Sequence, residues 1–130
     1  MQNSERLIAI DYGTKKSGIA YAESGFAFAW KTVPTGDIFP ALHTCIGECE
    51  NVRIILGMPY NIDGSQSAHG RRVLLFQEQL REHFPFPIVL VDEGLTSAEA
   101  RMNFASDNTQ GDIDSESARL ILERYLEDSR

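Results

Sequence analysis

Three carboxylates in the sequence follow or open apolar segments, so that a fold could bring them to one place. Asp11 comes directly after the apolar run 7–10, Glu93 closely follows the apolar run 88–91, and Asp114 opens the last amphipathic segment. Crowded carboxylates repel one another and are costly to desolvate, so such a cluster normally takes up protons or binds metal. Oxygen ligands without a cysteine or histidine cluster favour Mg²⁺ or Mn²⁺ over zinc. Two such ions about 4 Å apart could activate a water and stabilise the leaving oxygen of a phosphodiester.

Each of these acids also has an ordinary structural interpretation. Asp11 could begin a turn by accepting hydrogen bonds from nearby backbone N–H groups. Glu93 could be a surface turn residue, and Asp114 could be the N-cap of the final helix, a position that favours Asp. The residues alone leave both interpretations open.

The elements that must position Asp11 are predicted from periodicity. The run before Asp11 is too short for a helix, and Gly13 and Gly18 indicate a strand, a turn and a second strand. An alternation of aromatic and small residues from position 26 predicts a third strand, which Pro34 ends. Short connections make these strands an antiparallel meander.

The rest of the chain alternates helical and strand patterns. Helices are predicted over 35–50, 67–84, 96–104 and 114–126, and strands over 53–57 and 88–93. Cys45 and Cys49 lie on one face of the first helix, where they are expected to be small core residues rather than zinc ligands. The fold class is therefore α/β: a mixed five-stranded sheet, with three antiparallel strands followed by parallel β-α-β units, flanked by helices. A length of 130 residues fits a single domain, 1–130.

Charge and composition restrict the class of protein. The net charge of −7 argues against a protein that coats nucleic acid non-specifically. The first six residues are polar, and the apolar runs are too short to cross a bilayer. We therefore expect a cytoplasmic protein without a membrane partner.

Four segments resemble the motifs of the YqgF/RuvX family, in the order in which that family has them. They are 7–18, 57–65, 91–100 and the segment that starts at Asp114 and Ser115. The resemblance covers nearly the whole chain. It implies an RNase H-like fold related to RuvC.

The resemblance also implies an activity and its residues. Asp11, Glu93 and Asp114 correspond to the acidic metal-binding triad of the family. From the chemistry of such a site, Asp11 would bridge the metals, Glu93 would hold one, and Asp114 would hold a metal or orient the water. The implied enzyme is a hydrolase acting on ester bonds, a nuclease that matures the 5′ end of pre-16S ribosomal RNA. An older assignment of the family is a Holliday junction resolvase, so structured RNA is the expected partner and a four-way DNA junction the alternative.

Four cations and one amide are candidates for contact with nucleic acid. Long cationic side chains near an acidic site can follow a phosphate backbone, and the candidates are Lys15, Lys16, Arg71 and Arg72. Asn61 lies in a loop that could face the substrate. Ordinary solvated charges and a simple turn are the alternatives.

One departure from the family pattern bears on activity. The family usually has Arg directly after the glutamate of its third motif, and this chain has Gly94. A non-catalytic nucleic-acid-binding module of the same fold is therefore a competing function. A phosphate-binding fragment of the actin, Hsp70 and sugar-kinase type is disfavoured, because the chain is too short for both of its halves. A resolvase requires a homodimer, whereas a trimming nuclease can act as a monomer, and the sequence leaves this choice open.

Overall fold

A computed structural model of the chain describes residues 5–59, 67–92 and 113–128. The strands are β1 (Arg6–Asp11), β2 (Lys16–Glu23), β3 (Phe26–Pro34), β4 (Val52–Met58) and β5 (Ile88–Asp92). The helices are α1 (Ile38–Ile46), which follows a 3-10 turn over Thr35–Asp37, α2 (Ala68–His83) and α3 (Ile113–Asp128). The helix predicted over 96–104 lies outside the described residues.

The five strands form one mixed sheet in the order β3-β2-β1-β4-β5. β2 pairs antiparallel with β1 and with β3, whereas β4 pairs parallel with β1 and with β5. The predicted mixed sheet is confirmed. Ile10 pairs with Leu56, and Leu56 pairs with Leu90, so the carboxyl ends of β1, β4 and β5 lie side by side. We call this the carboxyl edge.

The two faces of the sheet carry separate cores. Ile8 and Ile10 are buried on the face that α1 and α2 cover, whereas Ala9 is buried on the face that α3 covers. The stripe predicted for the final helix packs there, with Ile121 and Leu122 fully buried. Because side chains alternate along a strand, Asp11 belongs to the same face as Ala9, the α3 face.

The first helix is shorter than predicted. α1 ends at Ile46, because Gly47 has a φ of 57° and a ψ of −130°, which are not helical, and the Gly47 N–H closes the last turn by donating to the His43 carbonyl at 2.9 Å. Cys49 therefore lies beyond the helix and is half-buried, contrary to the prediction, whereas Cys45 is in the core as expected. None of the helices in the described ranges is long and apolar enough to cross a membrane.

The second helix begins where the sequence predicted. Ser67 is its N-cap, and the Ser67 hydroxyl accepts a hydrogen bond from the Gly70 N–H at 2.9 Å. The predicted apolar stripe of Val73, Phe76 and Leu80 is buried against the sheet. α2 therefore runs from the carboxyl edge back along the sheet, as a crossover between the parallel strands β4 and β5 requires.

Candidate active site at the carboxyl edge

A row of three residues crosses the sheet next to the carboxyl edge. Asp11, the last residue of β1, pairs with Gly18 on β2, and Gly18 pairs with Thr32 on β3. Paired residues of neighbouring strands lie on the same face. Asp11, Gly18 and Thr32 therefore form a continuous row on the α3 face.

The first turn of α3 lies directly on this row. A Cβ added to Gly18 would be 1.9 Å from the Asp114 carbonyl oxygen and 2.5 Å from the Ser115 nitrogen. No side chain fits in that space, so Gly18 allows the helix backbone to touch the strand. The Ser115 N–H donates a hydrogen bond of 3.1 Å to Thr32 Oγ1, which satisfies one of the free N–H groups at the start of the helix.

Asp114 is not the helix cap. It is the second residue of α3 and lies within the first turn, so its interpretation as the N-cap is wrong. Its carboxylate Oδ2 lies 3.7 Å from Lys16 Nζ, and the side chains of Asp114 and Lys16 are 28% and 62% exposed. A negative charge in the first turn is also favourable next to the helix dipole.

The turn that connects Asp11 to β2 is fixed by hydroxyl groups. The Gly13 N–H donates to Ser17 Oγ at 3.1 Å, and Thr35 Oγ1 donates to the Gly13 carbonyl at 2.6 Å. The two hydroxyl oxygens are 2.8 Å apart, and Ser17 is fully buried. The Ser17 hydroxyl also lies 3.4 Å from the Gly13 carbonyl oxygen, so the two hydroxyls and the Gly13 backbone form one hydrogen-bonded cluster. The Thr35 N–H also donates to the Lys15 carbonyl at 2.9 Å, so the residue that follows β3 holds the turn through both its side chain and its backbone.

The start of α2 is joined to the same turn through Tyr12. His69 Nε2 lies 2.9 Å from the Tyr12 carbonyl oxygen, and the Tyr12 ring stacks on Phe76 with 4.4 Å between ring centroids. Arg71 and Arg72 lie two and three positions after His69, at the N-terminal end of α2, and are exposed. His69 therefore joins the start of α2 to Tyr12, the residue after Asp11, and both arginines lie further along the same helix.

Six of the predicted site residues lie in the described ranges, namely Asp11, Lys15, Lys16, Arg71, Arg72 and Asp114. Asp114 and Lys16 form an ion pair. Asp11 pairs with Gly18 in the strand register, and the Asp114 backbone packs against the same Gly18. Glu93 and Asn61 lie outside the described residues. Within the described ranges, no three His, Cys, Asp or Glu side chains form a group that could hold a metal ion.

Several residues that build the site were not found by sequence reasoning. The local sequence indicates only that Thr32 favours a strand, and that Ser17 and Thr35 are polar residues near turns. For His69 the sequence indicates only a position near the start of a helix, and not its contact with Tyr12. Their roles depend on partners that are distant in the sequence, such as Ser115 for Thr32, 83 residues away.

The mixed five-stranded sheet flanked by helices is an RNase H-like fold of the type found in RuvC. Among solved structures, the chain is similar to Thermus thermophilus RuvC in complex with a Holliday junction substrate, with a TM-score of 0.58 at 11% identity over 96% of each chain. A second Thermus thermophilus RuvC structure matches with a TM-score of 0.54 at 12% identity, over 95% of this chain and 96% of that one. At these identities the likeness concerns the fold.

The family follows from the sequence comparisons. The family model described as "RuvX: Holliday junction resolvase" matches residues 5–128, and this chain belongs to the RuvX family. Its relatives include a Cupriavidus necator protein, 34% identical over 93% of this chain and 87% of that protein. Another, from Thermoanaerobacter pseudethanolicus, is 31% identical over 96% of this chain and 98% of its own length. Both carry the name "Putative pre-16S rRNA nuclease". The resemblance noted in the four motifs is confirmed.

Proposed function

We propose that this chain is a metal-dependent endonuclease that hydrolyses phosphodiester bonds during 5′-end processing of pre-16S ribosomal RNA in the cytoplasm. Residues 1–130 would act as a single nuclease domain. The observation that supports the proposal is that Asp11 pairs with Gly18 in the strand register and that the Asp114 backbone packs against the same Gly18, next to the carboxyl edge. Ligands of open α/β sheets bind outside the carboxyl ends of the strands. The names of the relatives support RNA as the substrate.

The donor chemistry of this edge fits Mg²⁺ or Mn²⁺. Asp11 and Asp114 offer carboxylate oxygens, and the nearby His69 has its Nε2 engaged with the Tyr12 carbonyl. Hard oxygen donors suit these cations, which bind through one or two protein carboxylates and the substrate phosphate. Glu93, directly after β5 in the sequence, would supply a further carboxylate.

Each residue has a proposed role. Asp11, Glu93 and Asp114 would hold the ions, with Asp11 shared between two of them. Bound divalent cations would lower the pKa of a water and stabilise the charge of the leaving oxygen. Lys15, Lys16, Arg71 and Arg72 would contact phosphates on either side of the cleaved bond, and Asn61 would lie along the substrate. None of these contacts reads a base, so selection would depend on the shape of the RNA.

Cleavage of a structured RNA with a 5′ extension tests the proposal. We expect wild-type protein to cut it with Mg²⁺ or Mn²⁺ and not with EDTA, and Asp11→Asn to lose activity. Glu127→Gln is the matched control, because it removes one carboxylate near the other end of the helix that carries Asp114, about 20 Å away. Metal-dependent cleavage that survives Asp11→Asn would contradict the assignment of this residue.

A second candidate is cleavage of four-way DNA junctions, because the matching family model is described as a Holliday junction resolvase. Cutting a junction symmetrically needs two active sites, hence a homodimer, whereas a trimming nuclease can act as a monomer. The same protein is therefore offered a four-way junction, and its mass is measured by sedimentation with and without substrate. Junction cleavage by a dimer would favour the resolvase. Binding of both substrates without cleavage of either would favour the non-catalytic module.

A further inference from the structure

The ammonium group of Lys16 lies beside the Asp114 carboxylate, at which the proposed cation would bind. Lys16 Nζ is 3.7 Å from Asp114 Oδ2. Lys16 is the first residue of β2, two positions before Gly18, on which the Asp114 backbone rests. Residues two apart in a strand share a face, so Lys16 and Gly18 both approach the start of α3.

The backbone of Lys16 is held in place by the turn. A Cβ added to Gly13 would be 2.3 Å from the Lys16 carbonyl oxygen. The turn therefore brings the backbones of Gly13 and Lys16 closer together than any residue with a side chain at position 13 would permit. The buried Ser17 hydroxyl, the next residue along, is bonded to both Gly13 and Thr35. Only the side chain of Lys16 is free to move, and its length lets the ammonium leave Asp114 without any change in the fold.

We propose that Lys16 is a resident counter-ion of Asp114, which an incoming divalent cation must displace, and that Lys16 thereby sets the metal affinity of the site. The inference rests on the proposed function, because it needs Asp114 to be a metal ligand. Lys16 is a positioning residue in this account. It acts on the cation through Asp114 and does not touch the reacting atoms.

Electrostatics gives the direction and the size of the effect. The Lys16 ammonium and a divalent cation repel each other and compete for the same carboxylate, so removing the ammonium should tighten metal binding. An exposed ion pair contributes about 0.2–1 kcal/mol. This corresponds to an affinity increase of up to about five-fold. Salt screens such exposed charges, so the increase should shrink at high KCl concentration.

Titration with Mn²⁺ alone, followed by the electron paramagnetic resonance signal of free Mn²⁺, measures this affinity without nucleic acid or turnover. The variants are Lys16→Met, which removes the charge, and Lys16→Arg, which keeps it. Lys15→Met is the matched control, because Lys15 is exposed, adjacent in sequence and not ion-paired with any described residue. Circular dichroism of each variant verifies that it is folded.

We expect Lys16→Met to bind Mn²⁺ more tightly than wild type, by up to about five-fold, and Lys16→Arg and Lys15→Met to bind as wild type does. Equal affinities of Lys16→Met and wild type would overturn the inference while leaving the metal site intact. An equal gain in Lys15→Met would also overturn it, because the effect would then be one of net charge. If no protein bound Mn²⁺, the proposed function itself would fail, and the inference with it.

Discussion

Gly18 and Asp114 are in backbone contact: a single added carbon on Gly18 would lie 1.9 Å from the Asp114 carbonyl oxygen. The contact joins the second strand of the sheet to the last helix, and it lies beside Asp11 in the strand register. Small residues follow Gly18 on the same face of β2, since Ala20 and Ala22 are buried under the same helix. The position of Asp114 relative to Asp11 is therefore set by the absence of a side chain at one residue.

Substitution of Gly18 by alanine should displace the start of α3. The added methyl group meets backbone atoms, which cannot rotate away, so we expect a loss of about 1–3 kcal/mol in the free energy of unfolding. Urea unfolding measures this loss, and Mn²⁺ titration measures the accompanying loss of metal affinity. Gly36→Ala is the control, because a Cβ at Gly36 would meet no atom within 4 Å. Equal stability of the two variants would contradict the contact.

Thr32 should stabilise α3 through one hydrogen bond across the fold. Thr32→Val keeps the shape and removes the acceptor for the Ser115 N–H, so we expect a loss of about 1 kcal/mol in unfolding free energy. Thr32→Ser should retain most of it. Thr44→Val is the matched control, because the Thr44 hydroxyl makes an exposed bond within its own helix, to the Pro40 carbonyl at 3.2 Å. A loss no larger than that of the control would count against the role of Thr32.

The sequence predicts those helices and strands whose formation depends on residues close together in the chain. The apolar stripe of Val73, Phe76 and Leu80 predicts the second helix, and four consecutive apolar residues predict the strand before Asp11. Gly18 was read as part of a turn, yet it lies within β2 and is needed for the approach of α3. That role involves Asp114, which no local pattern connects to it. The Lys16–Asp114 contact was missed for the same reason.

Stability should fall at high pH through Cys45. Burial raises the pKa of the Cys45 thiol from 9.0 to about 11. The folded protein therefore keeps this proton where the unfolded chain loses it, and the contribution to stability is complete below pH 9 and lost as pH rises towards 11. We expect a loss of about 2–3 kcal/mol over this interval. Urea unfolding of wild type and Cys45→Ala measures it, and parallel pH profiles of the two proteins would exclude the thiol as its source.

Restoring the family's arginine at Gly94 should strengthen contact with RNA. An arginine there adds one cation beside Glu93 in the sequence, and each neutralised phosphate steepens the dependence of log affinity on log salt by about 0.7–0.9. Filter-binding titrations of Gly94→Arg over a range of KCl concentrations should therefore show tighter binding and a slope steeper by about one phosphate contact. Glu127→Gln changes the net charge by the same amount near the far end of α3, and we expect its slope to match that of wild type. If the two variants shift the slope equally, the added arginine acts through net charge alone and makes no specific phosphate contact.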